Sequence, residues 1–155
     1  MNAMSALKVM LLLSALSVSL GCSSNRPESP QMVQFCLRDG DVDRLIDLLR
    51  QVASENGLNF VNLSSASQRD LSRLKMDPGY RVIDISASRR DGLGLAAGNL
   101  GLGAHEIAVG FTKGANAQES AKFIQNVMNM LESRWDVRSV VEGQGAMKSP
   151  ECGAE

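Results

Sequence analysis

Residues 106–131 read EIAVGFTKGANAQESAKFIQNVMNML, and a change of period inside this stretch decides the fold class. Ile107, Val109 and Phe111 alternate with Glu106, Ala108 and Gly110, the two-residue repeat of a strand with one buried face. Beyond Gly114, Asn116 and Glu119 stand at capping-box spacing, and Ile124, Val127, Met128 and Leu131 then recur at helical spacing. A half-buried strand therefore feeds directly into an amphipathic helix. The same unit stands near the start of the chain. Val33, Phe35 and Leu37 alternate with Met32, Gln34 and Cys36, and from Asp41 to Asn56 the apolar positions Val42, Leu45, Ile46, Leu49, Val52 and Ala53 fall on one helical face, with Gly57 as terminator.

The segments between these units read as further strands and a minor helix. Leu58 to Leu63 is short and mostly apolar, a strand pattern. Ser67 and Asp70 have capping-box spacing ahead of Leu71 and Leu74, before the turn Asp77-Pro78-Gly79. Tyr80 to Ser88 alternates, with Arg81, Ile83, Ile85 and Ala87 on one face and Val82, Asp84 and Ser86 on the other; Trp135, Val137, Ser139 and Val141 alternate in a last strand. This order predicts an α+β two-layer sandwich, two main helices on a mainly antiparallel sheet, ferredoxin-like with a glycine-rich hairpin inserted. The insertion is GLGLAAGNLGLG, residues 92–103. Its glycine spacing is not that of a dinucleotide loop and a strand pattern follows it, so phosphate cradling is disfavoured. Two readings remain. One is a hairpin turning at Gly98-Asn99, with Leu93, Leu95 and Ala97 on one arm and Leu100, Leu102 and Ala104 on the other; the other is an apolar flap that contacts a partner.

Composition narrows the chemistry. The chain has 155 residues, formal charge −1, 44% hydrophobic and 4% aromatic residues, enough for one domain but with no basic surface for nucleic acid. Asp39, Asp41 and Asp43 have the spacing of a calcium loop, but Arg44 and Arg50 stand where that loop needs Gly and Glu, so no metal is expected. His105 is the single histidine, and any acid–base triad would be built on it, with Asp84 as the orienting carboxylate; no nucleophile motif accompanies it. Arg69, Arg73, Lys75, Arg81, Arg89 and Arg90 form a cationic concentration interrupted by Asp70, Asp77, Asp84 and Asp91, the pattern of a solvated mixed-charge face. Met128 and Met130 read as gap-filling core, and no cofactor is implied.

Lys8 precedes an apolar run from Val9 to Leu20, which meets Gly21 and Cys22. Twelve helical residues reach about 18 Å, short of the roughly 30 Å hydrocarbon core, so the run reads as a cleaved signal over residues 1–21. Ser19-Leu20-Gly21-Cys22 resembles the lipobox of bacterial lipoproteins. That resemblance implies acylation of Cys22, a membrane tether and, with Ser23 following, sorting to the outer membrane facing the periplasm. Residues 22–30 would then be the lipidated cysteine and a polar linker, residues 31–148 the domain and residues 149–155 a tail. With Cys22 lipidated, Cys36 and Cys152 are left as an even pair in an oxidising compartment, where a disulfide is expected.

The functional expectation follows from that address and from the lack of a catalytic constellation. It is a protein-interaction module that binds an envelope protein, or neutralises a toxin or hydrolase, through Arg89, Arg90, Leu93, Leu95, Asn99, Leu100 and Leu102. A small-ligand or lipid carrier is the alternative, and a His105-dependent enzyme a third reading.

Overall fold

A computed structural model describes residues 31–38 and 40–153; residues 1–30, with the expected signal, Cys22 and linker, and Asp39 lie outside the described residues. The first alternation forms β1 (Met32–Cys36), which turns Val33 and Phe35 into the core and leaves Met32, Gln34 and Cys36 half-buried on the opposite face. The first long helix, α1 (Asp41–Glu55), buries Leu45, Ile46, Leu48, Leu49, Val52 and Ala53. There follow β2 (Asn59–Asn62), α2 (Ser64–Arg73), β3 (Asp84–Ser88), β4 (Gly94–Gly98), β5 (Glu106–Thr112), α3 (Ala117–Glu132), β6 (Arg138–Ser139) and a 3₁₀ turn at Pro150–Gly153.

The fold is an α+β sandwich. Among the described residues six strands form one antiparallel sheet in the order β2-β3-β4-β5-β1-β6. Phe35 pairs with Ile107 across β1 and β5, and Val33 with Ser139 across β1 and β6. α1 and α3 pack on one face, where Phe35, Leu49, Ile107, Ile124 and Leu131 are almost wholly buried in a common cluster. Each such side chain contributes roughly 1.5–3 kcal/mol through the apolar surface it removes from water. The ring of Trp135 stacks on Phe35 at 5.2 Å and its indole N–H donates to Asp41 Oδ2 at 3.2 Å. Burial alone would push the Asp41 carboxyl up; the Arg38 amide and the Trp135 indole, together with Arg44, outweigh it and hold the group below the usual carboxylate value.

The two expected strand–helix–strand units, β1-α1-β2 and β5-α3-β6, are present, and the inserted hairpin β3–β4 lies within the sheet between β2 and β5, so that β2 to β5 form a four-strand meander. The glycine-rich stretch is therefore an integral strand. It turns before β4, where Gly92 takes φ +93° and its N–H donates to the Arg89 carbonyl. Asp91-Gly92 is a hairpin dipeptide, and it wins over Gly98-Asn99. β4 pairs on both sides, with β3 and with β5, so Leu93, Leu95 and Ala97 are core, and residues 99–105 form a loop instead of a second arm.

Three smaller expectations change for equally local reasons. Residues 80–83 leave the ladder because the Val82 N–H donates to Gln68 Oε1 and the Ile83 N–H to Asn99 Oδ1. α2 starts four residues earlier than the Ser67 cap implied, with its N-cap at Leu63; the Ser67 hydroxyl donates to Asp84 instead, and Leu74 is 69% exposed. The last strand shrinks to two residues, because Trp135 is drawn onto Phe35 and Val141 stays in solvent at 64% exposure. At α3, Asn116 Oδ1 accepts the Glu119 N–H as capping-box spacing predicts, but the Glu119 carboxylate reaches out to Arg89.

Close contact around β4 is directly testable. A Cβ at Gly94 would stand 2.4 Å from the Ala87 carbonyl oxygen and 2.9 Å from Ser88 Cα. Gly94→Ala should cost about 2–3 kcal/mol in urea unfolding, since both obstacles are backbone. Gly145→Ala, which meets nothing within 4 Å, should stay within about 0.5 kcal/mol of wild type.

Candidate interaction face

The sheet face opposite α1 and α3 is built from the alternate strand positions, and across the middle of β3, β4 and β5 these are small. β3 contributes Ser86 and Ser88, β4 Gly94, Ala96 and Gly98, and β5 Ala108 and Gly110. Register brings Ser86, Ala96, Gly110 and Met32 into one row across four strands. Ser86, Ser88 and Ala96 are exposed, so this part of the face is a flat platform of hydroxyls, methyls and backbone.

The other part is crossed by the end of the chain. After β6, residues 140–152 turn back over β1 and β5. The Val140 N–H donates to the Met32 carbonyl at 3.0 Å, the Gln31 amide to Glu142 Oε1 at 2.9 Å, and Cys152 forms a disulfide with Cys36. Residues 149–153, read from the sequence as tail, are thereby held against the sheet. Under this strap lies Glu106, only 2% exposed. Strand alternation alone would turn Glu106 to solvent. Its Oε2 accepts the Ser149 N–H at 2.7 Å, and Oε1 accepts the amide of Gln34, which also donates to the Met147 carbonyl. Neither donor is charged, and Arg138 at the rim pairs with Glu151 at 2.9 Å. A cleft of about 200 Å³ remains on the Glu106 side of the strap, and a groove of about 310 Å³ on its other side, beside Ala96, Gly110 and Thr112.

The residues singled out from sequence divide sharply. Leu93, Leu95, Asn99 and Leu102 are at most 5% exposed, and a partner cannot reach them in this conformation. Asn99 is a buried plug: its Oδ1 accepts the Ile83 N–H at 2.8 Å and its Nδ2 donates to the Arg81 carbonyl at 3.0 Å. Leu100 and Arg90 are exposed at opposite ends of β4. Arg89 grips Asp91 at 2.6–2.9 Å and Glu119 at 2.9 Å, tying the turn before β4 to the start of α3. His105 is exposed, and its carbonyl accepts the Leu37 N–H; Asp84, its proposed orienter, is engaged by Ser67. Among the described residues no group of three His, Cys, Asp or Glu side chains is placed to hold a metal ion, and no helix is long and apolar enough to cross a membrane.

The platform and Glu106 were missed from sequence. A signal existed for the first, since apart from Asp84 and Glu106 the outward positions of three successive strands carry only Ser, Ala, Gly and Thr. For the second there was none, because the strap that buries Glu106 is distant in sequence. No protein-family model, curated protein or solved structure matches this chain.

The Arg89 cluster sets a pH dependence. Hydrogen bonding from Arg89 holds the Asp91 carboxyl at about 2, below its ordinary 3.8. A depressed carboxylate stabilises the fold above its unfolded value and loses that contribution as pH falls towards the folded one. Carboxyl NMR titration should place the Asp91 midpoint near 2 in wild type and return it towards 3.8 in Arg89→Gln. An unchanged midpoint in the variant would refute the assignment.

Proposed function

We propose that this chain is a lipid-tethered protein of the bacterial envelope, anchored at the outer membrane through Cys22 and facing the periplasm, whose domain is a binding module for an envelope protein. The observation that carries the reading is the uncovered platform of Ser86, Ser88 and Ala96. An α+β sandwich covers one sheet face with helices, and a second face whose centre is open and carries small side chains is free to receive another protein's surface. The contact surface thus moves from the glycine-rich leucines to the face of the strands they belong to, with Arg90 at its rim. The resemblance at Ser19-Leu20-Gly21-Cys22 supports the tether, and the Cys36–Cys152 bridge suits an oxidising compartment. Neutralisation of a toxin or hydrolase is one form such binding takes. A carrier of small molecules is the weaker reading, since the clefts of about 200, 310 and 540 Å³ on the described surface are all open to solvent, whereas ligand pockets usually enclose most of their ligand.

Crosslinking in intact cells, followed by affinity purification and mass spectrometry, tests both parts. Wild type should recover a specific envelope protein, Ala96→Arg should lose it while folding normally, and Cys22→Ala should leave the membrane fraction. Recovery unchanged by Ala96→Arg would remove the platform from the interaction.

A further inference from the structure

We propose that residues 140–152 are a redox-latched cover: reduction of the Cys36–Cys152 disulfide releases the strap and extends the open platform over β1 and β5. The strap is weakly held apart from that bond. Its larger apolar side chains do not anchor it, since Val141 and Met147 are 64% and 71% exposed. Its non-covalent ties are polar ones at its margins: the Val140 N–H to Met32, Gln31 to Glu142, Gln34 to the Met147 carbonyl, the Ser149 N–H to Glu106, and Arg138 to Ser149 and Glu151. Open space flanks it on both sides, the cleft of about 200 Å³ and the groove of about 310 Å³. No residue of the strap belongs to the core cluster, which lies on the helical side of the sheet. The strap can therefore leave without dismantling what folds the domain. Cys36 and Cys152 are half-buried, so a reductant can reach the bond.

The chemistry is thiol–disulfide exchange with a dithiol. A thiolate of the dithiol attacks one sulfur, the Cys36–Cys152 bond breaks, and a mixed disulfide forms as the other cysteine leaves as a thiolate and takes up a proton. The second thiol of the reductant then resolves the mixed disulfide. Two electrons pass to the protein, which holds two thiols, and the dithiol departs oxidised. Release removes the Ser149 N–H from Glu106, hydrates that carboxylate and joins Gln34, Ala108 and Gly110 to the Ser86–Ala96 row. Opening itself is independent of the binding-module reading; what the enlarged platform does rests on it.

The test uses the full chain with dithiothreitol as the dithiol, and a Cys36→Ser/Cys152→Ser variant as a permanently open form. Trypsin cleavage after Lys148 should accelerate by ~10-fold or more in both, as local opening requires, with far-ultraviolet circular dichroism and Trp135 fluorescence unchanged. Unaltered cleavage would overturn the latch, because polar contacts alone would then hold the strap. Loss of the dichroism would overturn it too, by making the disulfide a staple of the whole fold. In the crosslinking experiment the double variant should recover more partner than wild type. Opening with equal recovery would overturn gating of the platform, whereas no partner from either form would instead refute the binding-module reading.

Discussion

The ladder between Met32–Cys36 and Glu106–Thr112 is the bond between the two halves of the chain, and most other features depend on it. β1 brings Val33 and Phe35 to the helices, receives β6 on its other edge, and presents Gln34 and Cys36 to the opposite face. Because side chains alternate along a strand, a slip of one residue would exchange these two sets. It would bury Gln34 among leucines, turn Phe35 away from Trp135 and separate Cys36 from Cys152. One register thus satisfies the core, the aromatic stack and the disulfide together.

The two faces of the sheet solve different problems. On the helical side bulky side chains interlock to crystal-like density. On the other side the described residues form no second layer, only small side chains at the centre and a partial cover by residues 140–152. The disulfide reads differently on the two scales. Measured along the chain it spans 116 residues, a loop for which chain entropy gives about 5 kcal/mol against global unfolding. Counted from β6, only about a dozen residues separate Ser139 from Cys152, and a loop of that length corresponds to roughly 3 kcal/mol. Much of the bond's constraint is therefore local, spent on keeping the strap against β1.

How far the sequence carried depended on whether a signal was local. α1, α3 and β5 were legible because one period ran uninterrupted through each, and the cysteine pair was legible by counting. The glycine-rich stretch was not, since Leu93, Leu95 and Ala97 alternate identically in a hairpin arm and in an interior strand. Asp91-Gly92 held the answer but was outweighed by the more conspicuous glycines after it. Ser67 looked like a helix cap because cap and tertiary hydrogen bond use the same hydroxyl, and only Asp84, seventeen residues away, distinguishes them. Glu106 and Asn99 are buried by distant segments, and no window of sequence around either residue contains that fact.

Strand order also has a temporal side. Every pairing within β2–β5 joins neighbours in sequence, so a chain growing from its N-terminus can assemble that meander from short loops as soon as residue 112 is free. β1 is made before any of them, yet both its partners, β5 and β6, are made later. Until β5 is made its apolar Val33 and Phe35 have no sheet to join, so the nascent chain carries its first strand unpaired while the meander forms behind it.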